Sequence, residues 1–270
     1  MDHLPSSHWP HHELVAAPDH TPEQWIVFLH GILGTGANWR SLARKVVGAV
    51  PRFGAVLVDL RGHGRSHRLG PPWTLDRVAE DLLALPVPIA GALGHSFGGK
   101  VALVLHGLAP LERLILVDSN PGPRPTARGS ESTLDVLEML RKLPPTFRDR
   151  VEFQDAVRAA GQPLGIAQWL AMNLVREGER VRFGPELDGV QALLDDYFAR
   201  DLWPALEPAR AITDVIVGGA SSVLDAADRA RLAGNESLRL HVVEGAGHWV
   251  HVDAAAAVEA LVIEALGREG

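Results

Sequence analysis

An α/β fold, with a mostly parallel sheet flanked by helices and one helical insertion, is what this 270-residue sequence predicts. Three observations carry the expectation. Short apolar runs recur along the chain, segments with apolar residues at helical spacing separate them, and the alternation lapses once, between residues 121 and 210.

Taken in order, Glu13–Ala16 is expected as an antiparallel edge strand and Trp25–Leu29 as a buried strand that ends at His30-Gly31. Ala55–Val58 closes on Asp59, Ile89–Leu93 is weakened by its alanine and glycine content, and Leu114–Val117 precedes Asp118. Val215–Val217 and Leu238–Val243 complete the set. Helical spacing appears near 37–48, 74–85, 97–108, 224–233 and 253–267. The lapse opens with Pro121-Gly122-Pro123-Arg124-Pro125, a stiff exit from the sheet. It then runs through helical patterns at Leu134–Leu143, Val151–Ala160, Ile166–Val175 and Leu187–Phe198, with no strand signal between them. Residues 1–120 and 211–270 are therefore expected to form the core, and 121–210 a helical cap. The cap is placed over the C-terminal strand ends, where open α/β sheets bind ligands.

Composition narrows the chemistry. The absence of cysteine excludes disulfide scaffolds, thiolate metal sites and cysteine nucleophiles. A net charge of −7 argues against nucleic acid or anionic lipid as the main partner. No apolar run reaches the roughly 18–20 residues of a membrane span. The first residues show neither a basic nor an apolar targeting region, so a cytoplasmic location is expected.

Gly94-His95-Ser96-Phe97-Gly98-Gly99 follows a strand and opens a helix. A serine on so sharp a turn leaves no room for side chains two positions away on either side, and Gly94 and Gly98 remove them. Ser96 then stands at a helix N-terminus, where free N–H groups favour developing negative charge. Extended to Lys100, the same letters fit a phosphate loop, but Val101 stands where that loop needs a magnesium-binding hydroxyl. The N–H groups of Ile32, after His30-Gly31, and of Phe97 would form a two-donor oxyanion hole. Asp59-Leu60-Arg61-Gly62-His63-Gly64-Arg65-Ser66 reads as a structural loop tied by Asp59 and Arg61. Near the end, Gly245-Ala246-Gly247-His248 can swing an imidazole over the serine, with a pKa suited to taking and returning a proton. His251 is the competitor, but it lies where the next helix begins.

In these motifs the chain resembles the α/β-hydrolases over essentially its whole length, with all of them in that family's order. The resemblance implies a serine nucleophile, a histidine base and an orienting acid. Most members carry the acid shortly after the penultimate strand, yet here that loop reads Gly218-Gly219-Ala220-Ser221-Ser222-Val223-Leu224-Asp225. Asp225 suits a helix N-cap. An esterase branch of the family places the acid at the end of the strand after the nucleophile helix, with a later Gly-Gly-x-Ser loop. Leu116-Val117-Asp118 and Gly218-Gly219-Ala220-Ser221 are similar to that arrangement, which favours Asp118 over Asp225.

The reading is a serine hydrolase of a carboxylic ester or thioester with a small to medium acyl group. Its residues are Ser96, His248 and Asp118, with Ile32 and Phe97 at the oxyanion, and it needs no metal or cofactor. His30, His95, Trp169, Trp203 and Trp249 are expected to wall the substrate pocket. The same triad serves C–C bond hydrolysis, lactone opening or a lyase step, and a hydrolase-like receptor would keep the fold without turnover. Acyl length and oligomeric state have no signature in the sequence. His11-His12-Glu13 lacks the histidine at 16 that a zinc helix needs, and His3, His8, His11, His12 and His20 are read as marking a solvated N-terminal segment. Gly31–Gly36 has its glycines in the wrong order for a dinucleotide fingerprint.

Overall fold

The computed structural model describes residues 9–124, 131–206 and 211–268. Nine strands and ten α-helices are assigned among them. In chain order the first part comprises β1 (His12–Val15), β2 (Gln24–Leu29), α1 (Arg40–Ala49), β3 (Phe53–Val58), α2 (Leu75–Leu83), β4 (Ile89–His95), α3 (Phe97–Leu108) and β5 (Arg113–Val117). After the insertion come β8 (Ile212–Gly218), α8 (Ala226–Ala233), β9 (Leu238–Val243), α9 (Val250–Asp253) and α10 (Ala255–Gly267).

Seven strands form one sheet in the order β1-β3-β2-β4-β5-β8-β9. Only β1 runs antiparallel, pairing His12 with Val58 and Val15 with Ala55 at the edge. The pleat sends successive residues to opposite faces. Val27, Leu29, Val56 and Val58 pack with Val78 and Leu82 of α2 and with Val101 and Leu105 of α3. Ile26, Phe28, Ala55 and Leu57 pack with Val46 and Val47 of α1 and with Val258 and Val262 of α10. Helices thus cover both faces of the sheet, and its parallel strands all end on one side.

Between β5 and β8 lie α4 (Glu131–Lys142), α5 (Arg150–Ala159), α6 (Leu164–Leu170), β6 (Leu174–Glu177), β7 (Arg180–Phe183) and α7 (Leu187–Ala199). They share an apolar cluster that includes Leu137, Phe147, Phe153, Leu170, Val190 and Leu194, and Leu33 from the core joins it. The β6–β7 hairpin corrects the all-helical expectation. Leu174 pairs with Phe183 across a turn in which Gly178 has φ +63°, and the helix expected to reach Val175 stops at Leu170. Four-residue strands such as Leu174-Val175-Arg176-Glu177 and Arg180-Val181-Arg182-Phe183 carry too short a pattern to separate from helix.

The N-terminal expectation also changes. His12 lies in β1, and the His11 N–H donates to Ser66 Oγ at 2.7 Å, while His3 and His8 lie outside the described residues. No helix among the described residues is long and apolar enough to cross a membrane.

Candidate active site

Four strand ends converge at the carboxyl edge of the sheet. The Ser96 N–H continues the β4–β5 ladder by donating to Val117 O at 3.0 Å, and the Asp118 N–H continues the next one to Ile216 O at 2.8 Å. Both residues then turn sharply. Ser96 has φ +51° and Asp118 φ +45°, a left-handed conformation uncommon for residues with a side chain. The serine turn closes only because its flanking positions are bare. A Cβ on Gly94 would lie 2.2 Å from Gly98 O, and one on Gly98 would lie 2.5 Å from Leu29 O.

His248 reaches the same edge on the loop between β9 and α9. Its Nδ1 donates to Asp118 Oδ2 at 2.7 Å, which leaves Nε2 as the basic nitrogen of the neutral ring. Asp118 is fully buried and meets two further donors, Ser221 Oγ to Oδ2 at 2.5 Å and the Gly218 N–H to Oδ1 at 3.1 Å. Asp225 is elsewhere, capping α8 through the Asp228 N–H. Ser221, from the Gly218-Gly219-Ala220-Ser221 loop that the resemblance sets beside an acid at a strand end, therefore stands at the Asp118 carboxylate.

Ser96 and His248 line one cavity of about 630 Å³, together with Ile32, Phe97, His95, Trp169 and Trp249. The Ile32 and Phe97 N–H groups have no protein acceptor among the described residues. Tyr197, buried at the end of α7, lines the same cavity. Among the described residues no hydrogen bond joins Ser96 Oγ to the His248 ring, a contact that often tightens only when substrate is bound. Apolar walls come from Val136, Ile166, Leu194 and Phe198, and the cation at the rim, Arg124, is paired with Asp228 at 2.7 Å.

Two expected pocket residues belong to the framework instead. His30 is buried, with Nε2 accepting the Leu60 N–H at 3.0 Å and Nδ1 donating to Gly31 O at 2.7 Å, and burial pushes its pKa down to about 4. Trp203 packs in the core under the Arg231 guanidinium, 4.2 Å from its ring centroid. His95 does line the cavity and has a second task, since its Nε2 donates to the carbonyl of His248 at 2.9 Å. Burial, with His251 and His248 nearby, holds the His95 pKa well below its usual value. His251 lies in α9, its ring 4.7 Å from Trp39.

Lys100 cradles no phosphate. Its Nζ donates to the carbonyls of Gly122, Tyr197 and Arg200. Asp59 ties its loop by accepting from the Gly36 and Arg65 N–H groups, and Arg61 forks onto Asp81 with two 2.7 Å bonds. Among the described residues no cluster of three or more histidine, aspartate or glutamate side chains is arranged to hold a metal ion.

Comparison with known proteins agrees with this architecture. The sn-1-specific diacylglycerol lipase ABHD11 of Mus musculus is 31% identical over 243 residues, covering 84% of this chain and 76% of its own. Esterase YbfF of Escherichia coli is 30% identical over 238 residues, covering 84% and 87%. A marine microorganism esterase superposes with a TM-score of 0.81 at 22% identity over 95% of this chain and 99% of its own, a likeness of fold. The sequence model of the alpha/beta hydrolase family matches residues 26–261, and the chain belongs to that family.

Proposed function

We propose that the protein is a serine hydrolase that cleaves a carboxylic ester or thioester of a small to medium acyl group through an acyl-enzyme. The observation that carries the reading is the Asp118–His248 pair, joined at 2.7 Å on a cavity wall that also holds Ser96 at a strained turn. Ser96 Oγ attacks the acyl carbon while His248 Nε2 takes its proton. Buried Asp118 holds the ring in that tautomer and stabilises the imidazolium. The Ile32 and Phe97 N–H groups receive the oxyanion, each donor of this kind being worth about 10²–10³ in rate. His248 then returns the proton to the leaving group, and water repeats the sequence to free the acid. Residues 121–210 act as a cap whose Trp169, Ile166 and Leu194 shape the acyl pocket. The named activities of the relatives, a diacylglycerol lipase and an esterase, support an ester as substrate.

Ser96→Ala is expected to lower ester turnover by about 10⁴–10⁶ with the fold intact. A fluorophosphonate should label the wild type and not the variant. A folded wild type that resists labelling and turns over no nitrophenyl ester counts against the proposal, and turnover of β-diketones in preference to simple esters replaces it with C–C bond hydrolysis.

A further inference from the structure

The turn that carries Ile32 is held in a conformation its residues do not favour. The Gly34 N–H donates to Gly31 O at 3.0 Å, and the third residue of the turn so closed, Leu33, has φ +60°. That position suits glycine, because a side chain in the left-handed region crowds its own backbone. Leu33 keeps it because the insertion grips both its side chain and its carbonyl. The side chain is fully buried in the apolar cluster with Leu137, Leu170 and Leu194. The carbonyl accepts Asn173 Nδ2 at 2.7 Å.

Asn173 ends the single turn Ala171–Asn173 between α6 and β6, and is itself only 1% exposed. Its Oδ1 accepts the Gly64 N–H at 2.8 Å, so a single orientation of the amide satisfies both partners, oxygen toward the N–H and nitrogen toward the carbonyl. The loop that carries Gly64 is tied to the far side of the Ile32 turn as well, since Asp59 Oδ1 accepts the Gly36 N–H at 2.8 Å. The Asn173 carbonyl is taken by the Gly184 N–H at 2.9 Å, which fixes the residue within the insertion. One buried amide thus bridges two loops of the core from outside it, and nothing in the Ser–His–Asp chemistry uses it.

We propose that Asn173 is a positioning residue for the oxyanion hole, an inference that rests on Ser96 being the nucleophile: its hold on the Leu33 carbonyl fixes the Gly31–Gly34 turn so that the Ile32 N–H faces the substrate. Gly31, Ile32 and Leu33 all line the cavity that holds Ser96. Without the amide, Leu33 relaxes toward negative φ, the peptide planes before it rotate, and the Ile32 donor leaves its line. During attack Ser96 Oγ bonds the acyl carbon, its proton passes to His248 Nε2, and the carbonyl π pair moves onto the oxygen that Ile32 and Phe97 face. That charge exists only in the adduct, so Asn173 acts on the rate of reaction and not on the binding of unreacted substrate. The insertion therefore does more than roof the acyl pocket, because it completes the catalytic centre of the core.

The test compares wild type with Asn173→Ala and with Asn173→Leu, which keeps the branched skeleton of asparagine where a cavity would unfold the chain. Each is read by nitrophenyl ester turnover and by the affinity of two ketones of one acyl chain. The trifluoromethyl ketone adds Ser96 and carries the oxyanion, whereas the methyl ketone binds unreacted. The expected loss in kcat/KM is about thirtyfold, short of the roughly 10²–10³ of a donor deleted outright, with the same loss in trifluoromethyl ketone affinity and under about twofold in methyl ketone affinity. Phe153→Leu loosens the insertion at its Phe147 and Phe183 contacts, leaves both Asn173 bonds in place, and should keep kcat/KM within about threefold. An unchanged kcat/KM at Asn173, equal losses for the two ketones, or the same selective loss in Phe153→Leu overturns the proposal. If neither Asn173 variant folds, asparagine labelled with nitrogen-15 reports on the native chain. The Asn173 side-chain resonance must shift with the trifluoromethyl ketone and not with the methyl ketone, and a stationary resonance overturns the proposal equally. A wild type that neither labels with a fluorophosphonate nor turns over removes the Ser96 reading and this inference with it, whereas an active wild type with an indifferent Asn173→Ala removes this inference alone.

Discussion

Asp118 sits fully buried in a left-handed conformation that costs on the order of 1–3 kcal/mol, and three donors converge on its carboxylate. Replacing one of its oxygens by an amide nitrogen removes an acceptor and lets the His248 ring take the wrong tautomer. Asp118→Asn should therefore lower kcat/KM by about 10³–10⁴, while Asp225→Asn, at a helix cap, stays within about twofold. Ser221→Ala, which deletes one neutral donor to the acid, should fall between them at about tenfold. Steady-state hydrolysis of a nitrophenyl ester measures all three, and a fully active Asp118→Asn removes the assignment. Ser96 and His248 were legible because their signals are local, a glycine-spaced turn and a glycine-rich approach. Ser221 was indicated only through the resemblance, as a Gly-Gly-x-Ser loop set beside a strand-end acid, because its partner Asp118 lies 103 residues away. His30 and Trp203 were misplaced for the same reason, because a strand-end histidine or a large indole looks alike in sequence whether it faces a cavity or a neighbouring backbone.

At the scale of elements, the parallel strands were legible because both their faces are buried and they read as apolar runs. The β6–β7 hairpin was not, being short, polar and packed within the insertion. What fastens the insertion to the core is also invisible to hydrophobic patterning, since it consists of the buried ammonium of Lys100 on three backbone carbonyls and the Arg200–Asp76 fork. Lys100→Met fills much of the same volume but strands those carbonyls, and should lower stability by about 2–3 kcal/mol. Urea unfolding read by tryptophan fluorescence measures this, and an unchanged midpoint would show that α7 is held by apolar packing alone.

Across the whole molecule, the carboxyl edge of the sheet gathers histidines that are buried in their neutral form. The rings of His30 and His63 lie 5.2 Å apart, and those of His95 and His251 lie 4.5 Å apart. Burial pushes His30 and His251 down to about 4 and His63 to about 3, from an ordinary value of 6.5. These folded-state values lie below the unfolded one, so the unfolded chain binds more protons once the pH drops under about 6.5. The stability they contribute is complete above that pH and is lost as the pH falls toward 4, by up to about 1.4 kcal/mol per pH unit for each ring. Against a total of about 5–15 kcal/mol for a typical domain, three such rings are enough to make the fold acid-labile before most carboxylates titrate. Thermal melts should give a nearly constant Tm from pH 8 to 7 and a steep decline between 6.5 and 5. A Tm that holds level down to pH 5 would mean that these rings are hydrated or paired in solution, and the packed histidine floor beneath the Ser96 turn would have to be redrawn.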